Sequence, residues 1–416
     1  MNLKGNKMIL NKNNFLKLSI IILSISIFIG YLIGNLYIIL FFSFITVIIS
    51  HILLKSKYLY INYNDKLWFI CLFITSLSLI YSKDKSESIN FIFMLICGLG
   101  IKILYQNLSG WQNFLIKIFY IFSSIHVIAT IIQKIFPNII TSVYSKILPY
   151  SILETNIMFL KIDNYSGITG QTGVNAFYIS IFLAIVFSKF LFEKQKVYIN
   201  VFFIVLGFYA LILTGKRGLL ISNIICFFII ILIMKKKKRK NLSKIVLAII
   251  SFIIASIVIY NSNDMKVILL KFKLLEQSGD ITNGRSIIWS LAIENFKNNF
   301  FLGTGISSTA KIIGEYAHNI YIQLLSDLGI LGFLSFVFTF IFSLIFSIKL
   351  FRSIYNTIKI SDDILRNIAI SIYIQILFII YGFTGNPLYG VMFFIPYLIN
   401  IALIYTYKYE LKGEEY

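Results

Sequence analysis

Long runs of apolar residues, broken only by short polar clusters, recur along nearly the whole chain. The runs are continuous, and about 20 residues of such sequence wound as a helix span the ~30 Å of bilayer hydrocarbon. A membrane-spanning barrel instead needs strands in which apolar and polar positions alternate. The pattern predicts an all-α, polytopic membrane protein with helices over 18–34, 36–54, 67–82, 88–105, 113–135, 174–192, 197–214, 218–234, 243–261, 320–348, 366–385 and 388–407. About twelve spans then form a single integral membrane domain covering 1–416.

Two segments between the apolar runs are long enough to fold by themselves, 137–172 and 262–318. Long connections are usually functional or disordered, and these keep Ile, Leu and Tyr throughout. The second contains a readable helix. Thr282 or Asn283 is placed to cap it, and Ile288, Ala292, Phe296 and Phe300 then recur on one face. Arg285, Ser286, Glu294 and Lys297 are its polar members. Such a helix either lies on the membrane surface or packs over a buried site, and the two readings are compatible. Gly303 and Gly305 in FLGTG end it with a sharp turn.

Charge orients the bundle. With a cytoplasmic N-terminus, the greater share of the 38 Lys and Arg falls on inner segments, counting Lys102 and Lys117 as inner anchors at helix ends. The densest run, KKKKRK at 235–240, is then inside. Such a run suits nucleic acid, but beside a helix end it more often anchors topology against anionic membrane lipid; no nucleic-acid partner is expected. Both termini become cytoplasmic, and both long segments lie on the outer face. Lys4, Lys7, Lys12 and Lys17 precede the apolar run from Leu18 without a small-residue cleavage site, so an uncleaved first helix is expected.

Composition removes further classes. With 58% apolar and 13% charged residues, a soluble domain could not hide its apolar surface in one core. Cys71, Cys97 and Cys226 all fall inside predicted helices, so neither a disulfide framework nor a Cys/His metal spacing is implied. A Walker-type loop, an HExxH helix, a GxSxG elbow and an Asp-x-Asp motif are all missing, which disfavours ATP-driven and metal-dependent chemistry.

Candidate chemistry gathers on the outer side. Thr214-Gly215-Lys216-Arg217-Gly218 puts two cations on a tight turn at the membrane edge. Cations there are costly unless they meet an anion, and Arg offers bidentate geometry to phosphate oxygens. The plainer reading is that both snorkel to phospholipid headgroups. His318 suits general-base work near neutral pH, with Asn319 able to orient a substrate or the ring; a lone interfacial histidine is otherwise structural. His126, mid-helix, is expected to be neutral and hydrogen-bonded, and Asp327 to pair with a loop cation.

The order of these motifs resembles the O-antigen polymerase and O-antigen ligase superfamily of bacterial envelope glycan assembly. TGKRG, then GRSIIW…ENFKNNFFLGTG, then AHNIYIQLLSDLGILG supply Lys216-Arg217-Gly218, Arg285, Trp289, Asn299, Gly303, Gly305, His318, Asn319, Asp327, Gly329 and Gly332 at matching positions. SGITGQTGVNAFYIS, with Asn175 and Ala176 entering a helix, resembles the family's pre-helix segment. The resemblance covers about 166–335 well. It implies a metal-independent membrane glycosyltransferase, without cofactor, acting on undecaprenyl-diphosphate-linked glycans at the outer face of the inner membrane. In that reading Arg217 and His318 are catalytic, while Lys216, Arg285 and Asn319 bind substrate. Polymerisation into O-antigen or capsular polysaccharide is the preferred activity, with ligation to lipid A-core as the alternative. A lipid-linked glycan flippase is the alternative of another class. Whether a chain-length regulator binds is left open.

Overall fold

Apolar runs end as helices wherever a capping residue, a proline or a glycine interrupts them, and the computed structural model follows that rule. It describes residues 3–33, 36–54, 59–193, 196–234, 284–355 and 360–412. Every regular element among these is helical: α1 (Leu3–Phe28), α2 (Gly30–Ile33), α3 (Leu36–Leu53), α4 (Tyr63–Ser78), α5 (Lys85–Gln106), α6 (Gln112–Ile135), α7 (Pro137–Ile147), α8 (Tyr150–Leu160), α9 (Thr172–Phe192), α10 (Val197–Leu213), α11 (Arg217–Ile233), α12 (Arg285–Asn298), α13 (Ser308–Ile313), α14 (Ile320–Tyr355), α15 (Asp362–Tyr381) and α16 (Val391–Lys412). A 3-10 turn at Pro387–Tyr389 leads into α16. Local chemistry sets the starts. Asn62 and Asp65 form a reciprocal capping box at α4, and Pro137 opens α7 without giving up a helical donor.

The protein is a polytopic helical membrane protein. Seven helices, α3, α5, α6, α9, α14, α15 and α16, are long and apolar enough to cross a membrane, while residues 14–28 of α1, α10 and α11 are apolar but shorter. This differs from the expected total of about twelve spans. The run predicted at 67–82 is the 16-residue α4, shifted toward the N-terminus, and the run predicted at 243–261 lies outside the described residues. Hydropathy does not register where caps and turns cut a helix. A 17-residue helix rises only about 25 Å, just short of the hydrocarbon thickness.

Helices α9, α15 and α16 form the centre: 94% of the spanning window of α9 is buried inside the protein, against 28% for α3 at the rim. Lipid tails are as apolar as leucine, so close packing and polar contacts must hold such a bundle together. Phe187 stacks on Phe227 at 3.7 Å and Phe378 on Tyr397 at 4.2 Å. Asn223 donates to Ser180 Oγ at 2.7 Å and accepts from the Tyr373 hydroxyl at 2.8 Å.

Lys102 is not an inner-surface anchor. It is fully buried and donates to Asp65 of α4, whose carboxylate also accepts from Gln106 Nε2 (2.7 Å) and Asn62 N (2.8 Å). An ammonium drawn into the bundle is tolerable only with a carboxylate held against it. His126 is likewise buried, packed beside the rings of Tyr178 (4.6 Å) and Phe28 (6.0 Å). Its Nδ1 has no hydrogen-bond partner among the described residues, so that half of the imidazole departs from the expectation.

α14 is broken near its start. Gly329 adopts φ 62°, ψ −166°, a conformation open in practice only to glycine. The groups freed by the break are taken up by the FLGTG segment. Ser326 O accepts from Thr304 N (3.1 Å) and Asp327 O from Gly305 N (2.8 Å), while Ile330 N donates to Phe300 O (2.9 Å). The two backbones lie so close that a Cβ on Gly303 would sit 2.4 Å from the Asp327 carbonyl carbon, and one on Gly329 2.4 Å from Phe301 O.

Candidate functional site

Four segments converge at one end of the bundle. The first is the α10–α11 turn, where Thr214 Oγ1 donates to Leu211 O (2.6 Å) and accepts from Lys216 N (3.3 Å), and Gly215 turns the chain at φ 68°. Lys216 Nζ lies 5.7 Å from the Phe159 ring centroid, a cation–aromatic contact that holds the stem. Arg217 begins α11.

The second segment is the start of α12. Gly284 at its N-cap has φ 83° and offers no side-chain cap; Thr282 and Asn283 lie outside the described residues. Arg285, half-buried, donates from a terminal guanidinium nitrogen to Thr384 O at 3.1 Å. α12 packs against α14, with Asn295 Nδ2 donating to Ser326 Oγ (2.7 Å) and Thr304 Oγ1 (3.1 Å). Of its predicted apolar face, Ala292 is buried, whereas Phe300 lies beyond the helix and is exposed.

The third segment is the loop ahead of α14. Trp289 Nε1 donates to Ala317 O (2.7 Å), and Ala317 N donates to Gln323 Oε1 (2.8 Å). Between these clamps His318 takes φ 51°, a left-handed backbone that non-glycine residues rarely adopt. Its side chain stays exposed. Asn319 caps α14, its Oδ1 accepting from Tyr321 N (3.0 Å) and Ile322 N (3.3 Å), which leaves the amide nitrogen for other work.

The fourth segment, Tyr381 to Asn386, has no sequence motif to announce it. Gly382 O accepts from Ile320 N (2.8 Å), Thr384 takes the Arg285 bond, and a Cβ on Gly218 would lie 2.3 Å from Thr384 Oγ1. Main-chain oxygens and close approaches do this positioning, so no particular residue type marks the place.

Electrostatics tie the four together. Burial lowers the Lys216 pKa, and the neighbouring Arg285 lowers it further. Arg285 is lowered by burial and by Arg217, with Tyr381 acting the other way. The protein around His318 lowers its pKa, as do Arg285 and Lys216, while Glu315 opposes them. Among the described residues neither Lys216 nor Arg285 forms an ion pair with a carboxylate. Like charges gathered in this way favour a bound anion.

Asp327 does not pair with a cation. Its buried carboxylate accepts from Ser307 N (3.0 Å), Thr309 N (2.8 Å), Thr309 Oγ1 (2.5 Å), Gln323 Nε2 (3.1 Å) and the Tyr389 hydroxyl (2.8 Å). Five neutral donors satisfy it, and the result is a clasp that fastens the loop before α13 to α14.

Residues 201–337 match the family model described as O-antigen ligase, a stretch that holds all of Lys216, Arg217, Arg285, His318 and Asn319. Over that stretch, which is less than half of the chain, the protein is similar to this family, and the stretch sits in a multi-pass membrane protein. No curated protein matches the chain.

Proposed function

We propose that the protein is an inverting glycosyltransferase that polymerises undecaprenyl-diphosphate-linked repeat units at the outer face of the bacterial inner membrane, with both termini cytoplasmic. The observation that carries this is the group of Lys216, Arg217 and Arg285 beside His318, with no carboxylate paired to Lys216 or Arg285 among the described residues. The three cations bind the donor diphosphate and stabilise the charge that grows on it as its bond to the anomeric carbon breaks. His318, kept neutral by its surroundings, takes the proton of the attacking sugar hydroxyl. The hydroxyl oxygen joins the anomeric carbon from the opposite face, and undecaprenyl diphosphate leaves. The Asn319 amide nitrogen steers the acceptor.

A second reading, ligation of the glycan to lipid A-core, is supported by the description of the matching family model. One assay separates them. Purified protein in nanodiscs is given a repeat unit on undecaprenyl diphosphate, and products are resolved on a gel. A ladder that disappears in Arg217→Ala and His318→Ala is the expected result. Transfer to added lipid A-core without a ladder makes the protein a ligase. Folded protein that gives neither product returns the case to a flippase.

A further inference from the structure

The cationic site has a neighbour that its mechanism leaves unused. A Cβ built on Gly173 would lie 3.7 Å from Lys216 Cε and 3.9 Å from the Tyr381 hydroxyl oxygen. The lysine stem, the tyrosine hydroxyl and the first turn of α9 therefore close around one spot. α9 runs for 21 residues, and Gln171 at its N-cap makes no side-chain cap bond. Its first i to i−4 bond is Asn175 N to Gln171 O (3.1 Å). The amides of Thr172, Gly173 and Val174 come before it, and none has an acceptor among the described residues. Beside them Thr172 is fully buried, at 0% exposure, and its Oγ1 has no hydrogen-bond partner among the described residues.

A buried helix end normally finds partners for its free amides, and a buried hydroxyl is normally bonded. Here both lack them among the described residues, at the positive end of a long helix dipole and beside an ammonium. These are the ingredients of a phosphate site. Gly173 is only partly buried, so the spot is open to a ligand.

We propose that the N-terminus of α9 is a second phosphate cradle, in which the first-turn amides, the Thr172 hydroxyl and the Tyr381 hydroxyl hold one phosphoryl group of a prenyl diphosphate while Arg217 and Arg285 hold the other. This rests on the reading of the site as a diphosphate site, and it adds selectivity: a prenyl monophosphate fills only one of the two positions. Lys216 stands between them.

The test measures binding of undecaprenyl diphosphate and undecaprenyl monophosphate to the full-length protein in phosphatidylcholine nanodiscs, with inorganic diphosphate and phosphatidylglycerol as competitors. Thr172→Val and Tyr381→Phe should each weaken diphosphate binding about tenfold, the scale of one hydrogen bond to a charged group, and leave monophosphate binding unchanged. Gly173→Ala should do the same by occupying the cradle, since its new Cβ meets only ordinary contacts; an unchanged unfolding midpoint shows that it folds. Inorganic diphosphate should compete with the prenyl ligand in the wild type. Competition by phosphatidylglycerol alone would mean an ordinary phospholipid headgroup site and would overturn the proposal. If the three variants bind like wild type while Arg217→Ala loses the ligand, the cradle is wrong and the diphosphate site stands. If Arg217→Ala also binds normally, the diphosphate reading itself fails.

Discussion

His318 can act as a base only while its ring is neutral. Its surroundings hold the pKa below the ordinary value of about 6.5, first because the protein around the exposed ring partly desolvates it, and then through the positive charge of Arg285. The free base therefore persists into mild acid and is lost only as pH falls through the lowered pKa. The acidic limb of kcat/KM is expected below pH ~6.5, and Arg285→Gln should move it upward by removing one of the depressing charges. A limb above neutrality, or one that stays in place in His318→Gln, would remove His318 as the base. Lys216, Arg217, Arg285 and His318 were legible in the sequence because a polar side chain stands out in an apolar frame. Thr384 was not, because it contributes a carbonyl oxygen, which every residue possesses. Lys102 was misplaced for a related reason: its partner Asp65 lies 37 residues away, and nothing local distinguishes a buried pair from a surface anchor.

Hydropathy located the helices well, and most ends of the described elements fall within a few residues of the predicted ones. The break in α14 escaped it, since SDLGILG continues an apolar helical period straight through Gly329. Only the backbone reveals that the helix is two pieces joined by a lacing to FLGTG. Gly329→Ala should therefore be severe, combining a forbidden conformation with a contact of 2.4 Å to Phe301 O. A loss of at least ~3 kcal/mol is expected from strain and overlap together, seen as a large drop in unfolding midpoint in detergent. Gly314→Ala is the comparison: its φ is also positive, at 94°, but its Cβ would enter open space. It should cost only about 1–2 kcal/mol. Equal effects would mean that the lacing contributes little.

Over the whole molecule, the orientation argued from basic residues makes a prediction that chemistry can check. Cys71, Cys97 and Cys226 are buried and free, so they give little labelling background. Lys311, on α13, and Lys196, between α9 and α10, are both exposed. In spheroplasts, Lys311→Cys should react with a membrane-impermeant maleimide at once, and Lys196→Cys only after permeabilisation. The reverse order would place the cationic site on the cytoplasmic side, away from any exported glycan.

The lacing between FLGTG and α14 has one more implication. It is made from main-chain atoms and depends on glycines, while the side chains of Phe300, Phe301 and Leu302 point their surface outward, all three exposed. Such a joint is indifferent to the lettering of the residues it carries. Mutation can rewrite the rim without dismantling the frame, which makes this edge a place where novelty is cheap and heritable.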